Sequence, residues 1–278
     1  MPETAPRPKI SDAALSLVLV ARENAADLAD VVTAWRKVLQ KRKQLFEITL
    51  VESGGSQETA QRLAELPAAV PELKTVRLDS SQGFGAALKS AIPTAQYPLL
   101  CYCWADGRYD PADLITMLEA IDTVDLVAGC RQGAPAPRWL RITGLVWRML
   151  IRAALGIPLQ PRLCWPGWAG CWRRAFVRRV FAVAVDDPDC ALHLCRREVL
   201  AQIPIQSRGS FVHAEIIAKA NFRGAYLAQV PVSYRSPRNN KNGPANQPEA
   251  PTWRDIRRVL TNPDFGPADS LHLFSPMH

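Results

Sequence analysis

The chain has 278 residues, of which 48% are hydrophobic and 22% charged, so it is long enough for one large globular domain or two small ones. No run of roughly 18 apolar residues occurs, and the first residues lack a basic start followed by an apolar core, which argues against a membrane-spanning helix and a secretion signal. The seven cysteines form no CxxC pair, which predicts reduced, mostly buried thiols in a cytoplasmic protein and no zinc site.

Strands and helices are predicted to alternate over the first half of the chain. A Pro-rich lead at 1–12 is expected to be disordered. Strands follow at 14–21, 45–51, 73–78, 98–104 and 124–130, and a helix with Asn24 as its cap is expected at 25–40. Short polar loops between these segments favour an α/β fold, with a doubly wound, mostly parallel sheet and helices on both faces.

The fourth predicted strand ends in a polar turn at 105–111, and a helical pattern follows it. Open α/β sheets bind their ligands at the carboxyl ends of the strands, so Asp106 is expected on the lip of a binding crevice. A surface aspartate in an ordinary strand–helix loop explains the same pattern. The glycine turn Gly83-Phe84-Gly85 is neither a P-loop, because no Gly-Lys-Ser/Thr follows, nor a GxGxxG motif, because Leu88 takes the last glycine position.

The net charge of +8 is concentrated in one interval of the sequence. No acidic residue lies between Asp125 and Asp186, and the cations in that interval are all arginines, at positions 131, 138, 141, 148, 152, 162, 173, 174, 178 and 179. Arginine suits phosphate recognition, so a phosphate-bearing substrate, an anionic membrane surface and nucleic acid are the alternatives to a solvated basic face. Nucleic acid is the least favoured of these, because the arginines alternate with apolar residues.

The second half of the chain contains two Arg-bearing amphipathic segments, at 139–155 and 172–185. They fit either helices on a membrane interface or helices packed on the core with arginine stems extending outward. A helix is predicted at 212–220 and a strand at 225–234. The region 236–278 is expected to be a flexible tail that includes one short helix at 253–260.

Seven short motifs follow one another in a recognisable order. They are Val20-Ala21-Arg22-Glu23-Asn24, Glu52-Ser53-Gly54-Gly55, the segments 81–88 and 104–108, Asp187 with 191–193 and 196–200, the helix 211–217, and the strand 229–234. In this order the chain resembles the family 2 glycosyltransferases, and most closely their dolichol- or polyprenol-phosphate mannosyltransferase branch, over about residues 14–243. The resemblance implies a GT-A fold at 13–235, with a nucleotide-sugar half at 13–130 and an acceptor half with basic helices at 131–235.

The same resemblance implies a divalent metal, Mg²⁺ or Mn²⁺, but the ligand set is depleted here. The three ligand-like positions hold Trp104, Asp106 and Arg108, which leaves Asp106 as the one carboxylate for a metal. A hard cation prefers several oxygen ligands, so this is a poor metal site. Either Arg108 supplies the positive charge and the enzyme is metal-independent, or the protein is a degenerate relative that binds an anion without transferring sugar.

Site residues follow from the resemblance, position by position. Asp106 and Arg108 are the expected catalytic residues, and the expected donor contacts are Ala21, Arg22, Glu23, Glu52, Gly54, Gly83 and Trp104. The expected contacts to the acceptor phosphate are Arg131, Arg138, Arg141, His193 and Arg197. A solvated Glu52 at a helix start and a structural His193 are the alternatives at those two positions.

The implied reaction is sugar transfer from a nucleotide-sugar to a phosphorylated lipid, on the cytoplasmic side and with peripheral contact to the inner face of the membrane. A lipid phosphate is already an anion, so the acceptor side needs cations more than a strong general base. The alternative is a non-catalytic pseudo-glycosyltransferase that binds a nucleotide-sugar or another anionic ligand.

Overall fold

The computed structural model describes residues 9–21, 28–54, 63, 66–68, 70–78, 80, 82–132, 185–235 and 253–266, along which we number the elements. The strands are β1 (Leu15–Ala21), β2 (Phe46–Ser53), β3 (Leu73–Leu78), β4 (Leu99–Trp104), β5 (Leu126–Gln132), β6 (His193–Arg196) and β7 (Leu227–Ser233). The helices are α1 (Leu28–Lys41), α2 (Phe84–Ala91), α3 (Asp113–Ala120), α4 (Arg197–Ala201), α5 (Val212–Phe222) and α6 (Trp253–Thr261), with a 3-10 turn at Ile92–Thr94.

The seven described strands form one sheet in the order β3-β2-β1-β4-β6-β5-β7. Strands β3, β2, β1 and β4 pair in parallel, as do β5 and β7, while β6 is antiparallel to both β4 and β5. The predicted α/β class with a mostly parallel sheet is confirmed. Strand β6 and the short helix α4 lie in the segment 190–200, to which the sequence analysis had assigned no element.

The sheet is covered by helices on both faces, which explains why β1 near its centre is apolar at every position but Ser16. All seven residues of β1 are buried. Trp35 and Leu39 of α1 pack on one face, and Leu88 of α2 and Ile216 of α5 pack on the other. A strand that is covered on both sides has no solvent-facing positions, so it reads as a continuous hydrophobic run.

Ordered residues occur within both ends for which disorder or flexibility was predicted. The carboxylate of Asp122 accepts hydrogen bonds from the backbone N–H groups of Ile10 and Ser11, each at 2.7 Å, so the chain is fixed before β1 begins. At the other end, Ile256 and Val259 of α6 pack against Phe211. Residues 9–12 and 253–266 are thus fixed by contacts, and the short helix predicted at 253–260 is present as α6.

A buried ion pair on α5 fixes the loop that follows α4. Lys219 Nζ lies 2.6 Å from Glu215 Oε1 and donates a hydrogen bond to the carbonyl of Pro204. The Glu215 carboxylate in turn accepts hydrogen bonds from the backbone N–H groups of Gln206 and Ser207, each at 2.8 Å. We call this pair with its hydrogen bonds the loop clamp.

The clamped loop packs directly on the glycine turn at the start of α2. A Cβ atom on Gly85 would overlap the carbonyl oxygen of Ser207, so a side chain is excluded at this position. The backbone N–H of Ala86 donates to the carbonyl of Arg208 at 3.1 Å. The loop clamp therefore also holds the predicted donor-side turn.

The five described cysteines are buried thiols, as the sequence predicted: Cys101, Cys103, Cys130, Cys190 and Cys195. The two others, Cys164 and Cys171, lie outside the described residues, as do the basic helices predicted at 139–155 and most of 172–185. Within the described ranges, no helix combines the length and the hydrophobicity that a bilayer crossing requires.

Candidate functional site

Several predicted site residues meet at one edge of the sheet, where its parallel strands end. Ala21 at the end of β1 pairs with Glu52 of β2, and Val20 pairs with Trp104 at the end of β4. Arg131 lies near the end of β5 at the same edge, because β6 is antiparallel to both β4 and β5. This is the edge at which open α/β sheets bind ligands.

The turn after β4 joins Asp106 and Arg108 into an ion pair. Gly107 has a φ of 70°, and this left-handed conformation lets the chain reverse between the two charged residues. Asp106 Oδ1 accepts the backbone N–H of Arg108 at 3.2 Å, and Asp106 Oδ2 lies 2.7 Å from Arg108 Nε. The Arg108 side chain is only 6% exposed, so its positive charge is fixed beside the carboxylate.

This arrangement does not fit a divalent metal at Asp106. In the part of the chain that the structure describes, no group of three or more His, Cys, Asp or Glu residues is placed to hold a metal ion. Mg²⁺ and Mn²⁺ need several oxygen ligands, whereas the one carboxylate here faces a guanidinium that would repel a second cation. We therefore assign no metal-ligand role to Asp106.

A second ion pair lies beside the first and involves Arg131. Its Nε and Nη2 donate to the two carboxylate oxygens of Asp187 at 2.6 and 2.7 Å, and Asp187 is buried. The Arg131 guanidinium also lies 5.4 Å from the centre of the Tyr234 ring. An acceptor phosphate at Arg131 would thus meet a bidentate ion pair rather than a lone cation.

Glu52, a predicted donor contact, lies at the same edge of the sheet as Ala21. Its side chain is buried, so the alternative of a solvated glutamate at a helix start is wrong. One carboxylate oxygen lies 3.7 Å from Arg77 Nε, while the other is buried and has no hydrogen-bond partner among the residues that the structure describes. Leaving a buried acceptor unsatisfied is unfavourable, so a ligand that donates a hydrogen bond here would gain affinity.

The glycines predicted on the donor side form tight turns next to Glu52. Gly54 and Gly83 have φ values of 73° and 83°, which favour glycine. Ser53 Oγ accepts the backbone N–H of Gln82 at 3.0 Å and so connects the end of β2 to the glycine turn. Trp104 is half-buried with its ring 4.6 Å from that of Phe84, which places the indole between this turn and Asp106.

Two of the predicted phosphate contacts are wrong. His193 lies on β6 opposite Tyr102, and its side chain is fully buried, so the structural alternative holds. Arg197 donates its backbone N–H to the carbonyl of Pro98, which precedes β4 and therefore lies at the opposite edge of the sheet. The two errors have different causes: His193 is enclosed because β6 lies between β4 and β5, whereas Arg197 follows the end of a strand that runs antiparallel, away from the site.

Four other predicted site residues lie outside the described residues: Arg22, Glu23, Arg138 and Arg141. Conversely, the structure brings in Tyr234 and Tyr109, to which the sequence analysis gave no role. Arg108 Nη1 donates to Tyr234 Oη at 3.2 Å across 126 positions of sequence. No local pattern signals such a contact.

Three polar side chains form an unusual cluster beneath Trp104, which we call the buried polar trio: Tyr102, His193 and His213. Their ring centroids are 5.2 to 6.0 Å apart, and all three side chains are buried. Within the described part of the chain, neither the Tyr102 hydroxyl nor any of the four imidazole nitrogens has a hydrogen-bond partner. Burial lowers the pKa of His193 to about 3 and that of His213 well below its ordinary value, so both imidazoles are neutral near pH 7.

The buried polar trio predicts a marked loss of stability in acid. Between pH 6.5 and about 3, the unfolded chain binds a proton at residue 193 that the folded chain excludes, so the free energy of unfolding falls as the pH falls. For one such histidine the loss between pH 7.5 and 5.0 is about 2 kcal/mol. We expect urea unfolding to show that His193→Phe loses about 2 kcal/mol less than the wild type over this interval.

The matched control is Tyr102→Phe. It removes an unpaired polar atom from the same cluster but no group that titrates in this interval, so the pH dependence of its stability should equal that of the wild type. An equal acid loss in His193→Phe and the wild type would contradict the assignment of a neutral, buried imidazole.

Comparison with known proteins identifies a matching family and solved structures of similar fold. A family model described as glycosyl transferase family 2 matches residues 16–183. No curated protein matches the chain. Glucosyl-3-phosphoglycerate synthase from Mycobacterium tuberculosis, solved with Mn²⁺, UDP and glucosyl-3-phosphoglycerate, has 19% identity and a TM-score of 0.57, covering 84% of this chain and 74% of that chain.

Further solved structures agree with this result. The same enzyme in complex with Mn²⁺, UDP and phosphoglyceric acid has 20% identity and a TM-score of 0.55, with coverage of 84% and 73% of the two chains. A structure described only as a mycobacterial protein has 19% identity and a TM-score of 0.55, with coverage of 84% and 70%. At this level of identity the likeness concerns the fold, and it confirms the predicted GT-A-like architecture.

Proposed function

Because the chain belongs to glycosyltransferase family 2, we propose that it transfers a sugar from a nucleotide-sugar donor to an acceptor that carries a phosphate group. The observation that carries the proposal is the Asp106–Arg108 ion pair at the carboxyl end of β4. A nucleotide-sugar releases a diphosphate, and negative charge develops on it as the glycosidic bond breaks. A cation held in place at this edge stabilises that charge.

On the donor side, different residues bind the nucleoside and the diphosphate of the nucleotide-sugar. The unpaired oxygen of Glu52 accepts a hydrogen bond from the base or the ribose. Arg108 contacts the diphosphate and takes the place of a metal ion, so binding is metal-independent. The solved relatives carry Mn²⁺ or Mg²⁺ with UDP. Calorimetry with Mn²⁺ and with EDTA tests whether this chain requires a metal to bind the nucleotide.

On the acceptor side, the proposal is a phosphomonoester near the Arg131–Asp187 pair. A phosphate oxygen is already anionic, so it attacks the sugar without a strong general base, and cations position it. The acceptor predicted from the sequence is a polyprenol-type lipid phosphate at a membrane surface. The solved structures include complexes with phosphoglyceric acid, a small molecule that also carries a phosphomonoester group.

Calorimetry with UDP and GDP tests the donor site. We expect micromolar binding of one of them with Mn²⁺ and the same affinity in excess EDTA, because the charge at the site is supplied by Arg108. Binding that disappears in EDTA would contradict the metal-independent site. No binding under either condition would contradict a nucleotide-sugar transferase.

Transfer assays distinguish the acceptors. UDP-glucose and GDP-mannose are incubated separately with 3-phosphoglycerate and with polyprenyl phosphate in anionic vesicles, and sugar-bearing product is detected by mass spectrometry. Product from the vesicles alone supports the lipid phosphate, and product from 3-phosphoglycerate alone supports the small phosphorylated acid. Turnover that requires neither acceptor would contradict the phosphomonoester assignment.

A second candidate function is a pseudo-glycosyltransferase that binds the nucleotide-sugar without transferring the sugar. The observation that favours it is again at Asp106, because this carboxylate is already neutralised by Arg108 and the described residues supply no set of metal ligands. This function predicts nucleotide binding without product from either acceptor.

A further inference from the structure

Tyr234 lies between the two ion pairs of the site and contacts the cation of each. We propose that Tyr234 is a positioning residue: its hydroxyl orients Arg108 for the donor diphosphate, and its ring couples Arg108 to the Arg131–Asp187 pair. The inference rests on the proposed function, since it assigns the diphosphate to Arg108. It adds a residue and a route of communication between the donor side and the acceptor side.

Arg108 is held from two directions. On one side Asp106 Oδ2 lies 2.7 Å from Arg108 Nε, and on the other Arg108 Nη1 donates to Tyr234 Oη at 3.2 Å. An arginine carries several rotatable bonds, so a guanidinium that is fixed at one end only would lose more entropy when a ligand binds. The second contact therefore prepares the guanidinium for a diphosphate.

Tyr234 is itself fixed in place by the turn that it contacts. The backbone N–H of Arg235 donates to the carbonyl of Arg108 at 2.8 Å, and Tyr234 forms an antiparallel bridge with Tyr109. The two tyrosine rings meet edge to face, with centroids 5.6 Å apart. The Tyr109 hydroxyl accepts the backbone N–H of Ala191 at 2.9 Å, so the second ring is anchored as well.

The hydroxyl and the ring of Tyr234 contact different cations. Its hydroxyl accepts from Arg108, whereas its ring faces the guanidinium of Arg131 at 5.4 Å. Cation–π contacts of this kind are stabilising, so a ligand that moves Arg131 also changes the surroundings of Tyr234. Substitution separates the two contacts: phenylalanine keeps the ring but lacks the hydroxyl, whereas leucine lacks both.

The binding test compares Tyr234→Phe and Tyr234→Leu with the wild type by calorimetry in EDTA, using UDP or GDP for the donor side and inorganic phosphate for the acceptor side. We expect Tyr234→Phe to weaken diphosphate binding about 2- to 10-fold and to leave phosphate binding unchanged, since one hydrogen bond is lost. Tyr234→Leu should weaken both. Tyr97→Phe, which removes a tyrosine hydroxyl just before β4 at the opposite edge of the sheet, is the matched control and should change neither.

A second readout does not depend on any nucleotide. Nitrogen-15 NMR of the arginine side chains measures rotation about the Nε–Cζ bond of Arg108, with the signal assigned by Arg108→Lys. We expect rotation about 2- to 10-fold faster in Tyr234→Phe than in the wild type, because the bond to Nη1 is gone.

The two readouts separate the inference from the proposed function. The positioning role would be overturned if the Arg108 Nε–Cζ bond rotated equally fast in Tyr234→Phe and in the wild type. It would also be overturned if the wild type bound the diphosphate and Tyr234→Phe bound it with the same affinity. Faster rotation in a protein that binds no diphosphate would uphold the orientation of Arg108 by Tyr234 and overturn both its assignment to the donor and the proposed function.

Discussion

Replacing Arg108 by alanine is expected to weaken the binding of UDP or GDP in EDTA about 100-fold, or roughly 3 kcal/mol. Two effects add. The diphosphate loses a charge-assisted contact, and Asp106 loses the guanidinium that lies 2.7 Å from its carboxylate, so more of its negative charge faces the diphosphate. Arg108→Lys keeps the charge but not the planar fork, so an intermediate loss is expected. Calorimetry measures both variants, and sugar transfer should fall at least as steeply as binding.

The variant Asp106→Asn distinguishes two roles of Asp106, as the partner of Arg108 or as a metal ligand. If Asp106 only neutralises and orients Arg108, the asparagine leaves a cation with more of its charge available, and diphosphate binding in EDTA should be equal to or tighter than that of the wild type. If Asp106 is instead a metal ligand, the variant should lose the binding that Mn²⁺ supports. The second pattern would contradict the reading of Arg108 as the built-in cation.

Replacing Lys219 by methionine is expected to lower the free energy of unfolding by about 3–5 kcal/mol, the cost of a buried charge that loses its partner. Lys219 and Glu215 are both buried, with relative side-chain exposures of 1% and 0%. The substitution also removes the hydrogen bonds to Pro204 and to the side chain of Gln206. Urea unfolding measures the loss directly.

Two controls define the origin of that effect. The double variant Glu215→Gln with Lys219→Met removes both charges, so it should recover at least half of the lost stability. Lys89→Met, at an exposed position of α2, should change stability by less than about 0.5 kcal/mol. A single variant Lys219→Met within 1 kcal/mol of the wild type, on the scale of an ordinary surface change, would contradict the loop clamp.

The sequence by itself determined the layered architecture and the edge of the sheet that bears the site. The run at 14–21 is apolar at nearly every position because both faces of β1 are covered, and the strand predicted at 73–78 coincides with β3. Polar turns at the carboxyl ends of parallel strands converge in any open sheet. That rule placed Asp106 at this edge, and the family resemblance added Glu52 and Gly54, without knowledge of their contacts.

Only the tertiary structure decided what those residues contact. The position of β6 between β4 and β5 buries His193, and its antiparallel direction sends Arg197 to the far edge. No local pattern in four residues specifies a strand's neighbours or its direction. Arg131 and Asp187 form their ion pair although they are 56 positions apart in the sequence, and Arg108 and Tyr234 form their hydrogen bond although they are 126 positions apart. Hydrophobic periodicity is a local property of the chain, whereas the partner of a charge depends on which strand ends lie side by side after folding.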